Sequence, residues 1–262
     1  MVDTILEAIR KENLELKDED ILVLASKIVS YSQRRIAGLS DVRPSRKARI
    51  FGNKYGLNPE LSELILREAD EFFGGPEKAV LTLKNGIFVA NAGIDCKNAP
   101  AEYCVLWPIA LKKWVKEFRD VLLRESRKHV GVLIIDSGLI PLRIGTSGLA
   151  LAVGGFKPIV DNRGRNDAFG RTIMMTRHAV ADDLASAAHL LMGEGAELTP
   201  VVLVRHAPVD FCDCISDSKD MCMPFQKCLF MNVFGPSLDR KQSRNLQQQP
   251  SCTRKNRSKL KR

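Results

Sequence analysis

Residues 79–92 read AVLTLKNGIFVANA, and this stretch decides the fold class. Two β-prone runs flank Asn85-Gly86, a pair that tolerates the positive φ angles a two-residue hairpin turn demands. The spacing therefore predicts an antiparallel hairpin. Outward from it, strands and helices alternate. Apolar runs at 21–25 (ILVLA) and 130–136 (VGVLIID) read as buried strands, and 200–204 (PVVLV) as a further strand. Helical spacing marks residues 3–13 (Ile5, Leu6, Ile9), residues 59–69 and a long amphipathic helix from Leu111 to His129. Asn58-Pro59 supplies an N-cap followed by Pro at the first helical position. An Ala-rich helix runs from Ala179 to Met192 and stops at Gly193. Alternation of this kind favours a parallel sheet, but the hairpin excludes a purely parallel one. The expected class is α+β, with mixed sheets and flanking helices.

Composition narrows the function classes. The chain has 262 residues, 45% hydrophobic and 27% charged, which suits a globular protein with a sizeable core. No apolar run reaches about 18 residues, so no membrane span is expected, and MVDTILEAIRKEN shows no secretory leader. The net charge is +9, yet residues 211–262 hold 11 Lys/Arg against 4 Asp/Glu, so the basicity belongs to the tail and the body is near neutral. This points away from nucleic acid as a partner. The boundary is accordingly placed at 210, with a Cys-containing basic tail over 211–262 and disorder expected over 237–262. Seven Cys without a leader suggest reduced thiols in a cytoplasmic compartment.

The chemistry-bearing residues gather at strand ends. Asp95 and Asn98, just past the hairpin, offer two oxygens to a hard cation or cap their own turn. Asp136-Ser137 ends the 130–136 run, where sites of α/β-type sheets tend to lie. Residues 161–171 (DNRGRNDAFGR) interleave Arg163, Arg165 and Arg171 with two Gly, a pattern suited to phosphate or carboxylate groups. The turn from Gly193 to Glu197 could hold a nucleotide or complete a metal site, although helix termination explains its glycines equally well. His178, His189 and His206 share no ligand spacing.

Taken together, NAGID-x-x-N, the strand-end Asp-Ser, P-x-R-x-G-T, D-x-R-G-x-x-D-x-F-G-R and A-D-D-L-A-x-A-A-x-L-L-M-G-E resemble the coenzyme F420-0:L-glutamate ligase (gamma-glutamyl ligase) family, in order from about residue 3 to Val204. The resemblance implies two intertwined subdomains over 1–210 and a cytoplasmic homodimer. It implies a GTP-dependent ligase that joins L-glutamate to a deazaflavin precursor through an acyl phosphate. Mg²⁺ or Mn²⁺ is implied as cofactor, with K⁺ admitted as a further ion. By motif, Asp95, Asp136, Ser137 and Glu194 match metal positions. Ser26, Lys27, Asn98, Met192, Gly193, Gly195 and Glu197 match nucleotide contacts. Arg143, Arg163 and Arg171 are the expected clamps on phosphate or substrate carboxylate.

The chain departs from the pattern in places. A Pro-containing nucleotide loop usual before the first helix is not seen. Tyr31 stands where the family has Lys, Cys96 where it has an acid, and Leu139-Ile140-Pro141 where it has Gly-Arg-Pro. The last of these leaves open a different acceptor for the same chemistry. The losses of charge leave open a nucleotide- or metal-binding relative without turnover.

Overall fold

The computed structural model describes residues 1–234. The elements run α1 (Val2–Lys11), β1 (Ile21–Ala25), α2 (Ser26–Ser32), β2 (Ile36–Gly38), α3 (Arg46–Tyr55), α4 (Pro59–Glu68), β3 (Glu71–Gly74), β4 (Leu81–Lys84), β5 (Ile87–Ala90) and β6 (Tyr103–Val105). They continue α5 (Leu111–Ser126), β7 (Gly131–Leu139), β8 (Thr146–Phe156), β9 (Val160–Asp161), β10 (Arg177–His178), α6 (Val180–Met192), β11 (Val201–Val204), β12 (Phe211–Asp217) and α7 (Ser218–Met221). No described helix is long and apolar enough to cross a membrane.

The α+β class is what the structure shows. Its principal sheet has five strands in the order β11-β1-β7-β8-β12. Only β1 and β7 are parallel, and the other three pairings are antiparallel. Both faces of this sheet are covered, which explains why β1 and β7 read as continuous apolar runs. Ile21, Val23, Leu133 and Ile135 pack with Ala181, Ala185 and Ala188 of α6. Leu22, Leu24, Val132 and Ile134 point the other way, into a core with α1 and with Val115, Phe118 and Leu122 of α5. The two-residue period of a strand thus feeds two cores at once. The small residues of α6 serve close approach: a Cβ at Gly148 of β8 would run into the Ala185 carbonyl.

The hairpin forms as its Asn-Gly turn dictates, with φ of 51° at Asn85 and 82° at Gly86. It is the inner part of a separate sheet, β3-β4-β5, whose first strand the sequence did not announce. A third core lies under α3 and α4, built on Phe51, Tyr55, Leu64 and Ile65. The Asn58 cap is realised, its Oδ1 accepting from Glu60 N at 2.8 Å and Leu61 N at 3.0 Å. Glu68, at the far end of α4, accepts from Arg35 at 2.6 Å and from Lys84 at 2.5 Å.

Two expectations need correction. The compact unit extends through Cys222 and not to 210, because β12 completes the principal sheet against β8. Residues 211–217 gave no sign of this, since Cys, Asp and Ser interrupt the apolar pattern. The thiols also differ from expectation: Cys96 is bonded to Cys104 and Cys212 to Cys214, while Cys222 and Cys228 are free. The second unit begins at Met223, and its described part includes a 3₁₀ turn, Phe225–Lys227, and helical residues 229–234. Residues 237–262 and Cys252 lie outside the described residues.

Candidate active site

The parallel pair β1 and β7 sets the site. Their carboxyl ends lie side by side, Ala25 opposite Ile135. The chain leaves β1 directly into α2 through Ser26 and Lys27, while β7 runs on through Asp136 and Ser137. The β7–β8 register shifts between Ile134 and Ile135. The extra residue, Leu151, lies on β8, so the alternation of β7 runs unbroken into Asp136 and Ser137.

Asp136 is held at both oxygens. Ser137 N donates to Oδ1 at 2.9 Å, and the Trp107 indole N–H donates to Oδ2. Burial pushes its carboxyl up to about 6, with the nearby Asp95 adding to the effect and Ser137 N–H, Trp107 and Lys27 opposing it. Asp95 arrives by a different route. Its backbone pairs with Val105, N to O at 3.0 Å and O from N at 2.8 Å, two residues before Trp107. Gly93 makes room for that indole: its φ is +70°, and a Cβ there would overlap the Trp107 ring. Asp95 Oδ2 accepts from Lys27 Nζ at 2.6 Å and Oδ1 from Lys97 N at 2.7 Å. Two carboxylates from distant segments and one ammonium therefore share a neighbourhood at the sheet end.

Ser137 follows Asp136 on the strand and so faces the other side, toward α6. There Glu194 accepts from Thr146 Oγ1 at 2.5 Å and lies 2.9 Å from His189 Nε2. Burial pushes the Glu194 carboxyl up, but Thr146, His189 and Ser137 outweigh it and hold it below the usual range. The four expected metal positions are thus two adjoining pairs, Asp95 with Asp136 and Ser137 with Glu194. Among the described residues, no three His, Cys, Asp or Glu side chains stand together as a ready metal cluster. A Mg²⁺ or Mn²⁺ ion nevertheless suits the first pair by donor chemistry: hard carboxylate oxygens whose mutual repulsion a cation relieves.

The glycine-rich turn joins the same region. Asn98 Nδ2 donates to Gly195 O at 2.9 Å, and Glu197 folds back so that Oε2 accepts from Gly195 N at 2.8 Å. Met192 ends α6, packed against its core, and Gly193 caps the helix. Ser26 is buried at the start of α2, and Tyr31 is partly exposed on the same helix.

The three arginines are elsewhere. Arg143 is exposed in the turn between β7 and β8. Arg163 and Arg171 belong to an exposed arm between β9 and β10 that hydrogen-bonds mainly to itself, as in Gly164 N to Ile173 O at 2.9 Å and Asp167 N to Arg171 O at 2.8 Å. Arg163 pairs with Asp161 at 2.5 Å and holds that carboxyl well below its usual range. No described hydrogen bond or ion pair links any of the three to Asp95, Asp136 or Glu194. Sequence reasoning missed Trp107, Thr146 and His189. Thr146 carried a signal as the last residue of P-x-R-x-G-T, and His189 as the last turn of a helix five residues before Glu194; Trp107 carried none.

The family model for F420-0:gamma-glutamyl ligase matches residues 1–206. The chain belongs to this family. Among its relatives are three proteins named coenzyme F420:L-glutamate ligase. That of Methanopyrus kandleri is 35% identical over 195 residues, covering 74% of this chain and 77% of the relative. That of Methanococcus maripaludis (strain C7) is 37% identical over 199 residues, 76% and 80%. That of Methanocaldococcus jannaschii is 33% identical over 218 residues, 83% and 86%. The family model stops at residue 206, so in this F420-0:gamma-glutamyl ligase member the last sheet strand, β12 (Phe211–Asp217), lies beyond the region the model describes.

Proposed function

We propose that the chain is a GTP-dependent ligase that forms an amide bond between L-glutamate and a deazaflavin precursor in coenzyme F420 biosynthesis. The observation that carries this reading is the convergence of Asp95, Asp136 and Lys27 at the end of the parallel strand pair, beside a turn tied down by Asn98. An ammonium, a carboxylate pair and a glycine-rich turn are the parts that phosphoryl transfer uses.

In this reading a carboxylate of the precursor attacks the γ-phosphorus of GTP, the bond to the bridging oxygen breaks, and GDP leaves. The glutamate amine then attacks the acyl phosphate carbon and inorganic phosphate departs. Lys27 binds phosphate oxygens with its ammonium, and Asn98 with the 192–197 turn cradles the nucleotide. Asp95 and Asp136 would hold Mg²⁺ or Mn²⁺, which neutralises phosphate charge when bound. Trp107 and Ser137 N–H fix the Asp136 carboxylate. Arg143, Arg163 and Arg171 would reach substrate carboxylates from the exposed arms. A cytoplasmic homodimer belongs to the proposal, supported by Leu142, Ile144, Phe169 and Met175, all nearly fully exposed on those arms.

The test incubates the purified chain with GTP, Mn²⁺, L-glutamate and the precursor. Release of GDP together with a product heavier by a glutamyl residue supports the reading. GDP release that ignores both glutamate and precursor contradicts it.

A further inference from the structure

The Asp95–Val105 backbone bridge sets Cys96 and Cys104 opposite each other one step inside it, and the two are joined as a disulfide. The bond closes a loop, residues 97–103, onto a fixed point. Cys104 is fully buried in the core with Phe51 and Ile65, and its strand pairs with β2 at Ala37. Cys96 is exposed at the loop's mouth. The loop makes two tethers to the candidate site: the Lys97 carbonyl accepts from Lys27 Nζ at 3.2 Å, and Asn98 donates to Gly195 O. Asn98 and Glu102 hold φ of 50° and 66°, conformations that a free chain visits rarely and that need surrounding restraint. The other disulfide, Cys212–Cys214, sits on the edge strand β12 and touches none of these residues.

We propose that Cys96–Cys104 is a reversible thiol–disulfide modification site that orders the 97–103 loop against Lys27 and Gly195 and thereby sets nucleotide affinity. The last clause rests on the reading of this region as the nucleotide site. In the oxidising direction a small-molecule disulfide, RSSR, accepts two electrons. The Cys96 and Cys104 thiols release two protons, the S–S bond forms, and two RSH leave. A dithiol reverses the step and is itself oxidised to its disulfide. The closed loop loses conformational freedom before nucleotide arrives, so less ordering is left for binding.

The experiment takes the full chain oxidised with glutathione disulfide or reduced with dithiothreitol, and includes Cys96→Ser, which changes an exposed side chain. Alkylation and peptide mass report the bond, hydrogen exchange reports the loop, and titration reports GTP affinity with Mn²⁺ present. Reduction is expected to speed exchange of the 97–103 amides about tenfold and to weaken GTP binding roughly three- to tenfold. Cys96→Ser should match the reduced protein and ignore dithiothreitol. The proposal is overturned if Cys96 and Cys104 both alkylate after oxidation, or if exchange and GTP affinity do not change on reduction. Exchange that responds while GTP binds neither form overturns the nucleotide clause and with it the functional reading, leaving the loop clamp standing.

Discussion

The sheet-end site and the 161–176 arm carry similar residue types and are built in opposite ways. At the sheet end, Asp136 is half-buried, anchored at both oxygens and reached by Asp95 and Lys27 from segments distant in sequence. In the arm, Arg163 binds its near neighbour Asp161, and Phe169 stands 88% exposed. The arm has the denser motif and the weaker frame. A run of Arg, Asp and Gly thus shows where anions can be met, whereas burial and long-range hydrogen bonds show where a reacting group can be held still.

The largest contrast is expected in turnover. Asp136→Asn should lower glutamate-dependent GDP release by about 10²–10³-fold, because it removes one of the two carboxylates that would hold the divalent cation at the phosphates. Arg171→Ala should instead raise the KM for the deazaflavin precursor about tenfold and leave kcat within about twofold, as loss of a uniform binding contact does. Steady-state kinetics of the two variants would break the comparison if their patterns were exchanged.

Glycine substitutions sharpen it through stability. Gly93→Ala forces a Cβ into the Trp107 ring at φ +70° and should cost about 2–4 kcal/mol in denaturant unfolding. Gly164→Ala has a similar φ, +82°, but open space around it, so only backbone strain of about 1 kcal/mol remains. Equal costs would mean that the sheet-end frame is no tighter than the arm.

The smallest effect lies in acid. Burial pushes the Glu68 carboxyl up, yet Arg35 and Lys84 hold it below the usual range. A depressed carboxylate contributes stability that is full above its unfolded pKa and lost as pH falls through the folded one. As pH falls below the usual glutamate range, the wild-type melting temperature should therefore fall more steeply than that of Glu68→Gln. Asp161→Asn, in the exposed arm, should leave that slope nearly unchanged, because solvent screens its pairing with Arg163.

What the sequence made legible was local. Asn85-Gly86 marks its turn, Asn58-Pro59 its helix start, and the apolar runs at β1 and β7 their burial, because each signal needs only neighbouring residues. The strand β8 escaped notice because Gly148, Gly154 and Gly155 break its apolar run. Those glycines exist for close approach: a Cβ at Gly148 meets α6, and one at Gly154 meets Val115 and Arg119 of α5. Asp95 and Asp136 were legible as strand-end acids, and their shared neighbourhood was anticipated. The separation of Ser137 and Glu194 onto the opposite side of β7 was not, since it follows from strand alternation beyond the register shift. Trp107 and the Cys96–Cys104 bond depend on the Asp95–Val105 bridge, which no sequence pattern announces.

The central claim is that phosphate is held at the sheet end and not by the arm. Titration of GTP in the presence of Mn²⁺ tests it most directly, comparing Asp95→Asn with the double variant Arg163→Ala/Arg171→Ala. Asp95→Asn should weaken binding by about tenfold or more, and the arm variant should stay within about twofold of wild type. Unchanged affinity in Asp95→Asn together with a collapse in the arm variant would contradict the claim.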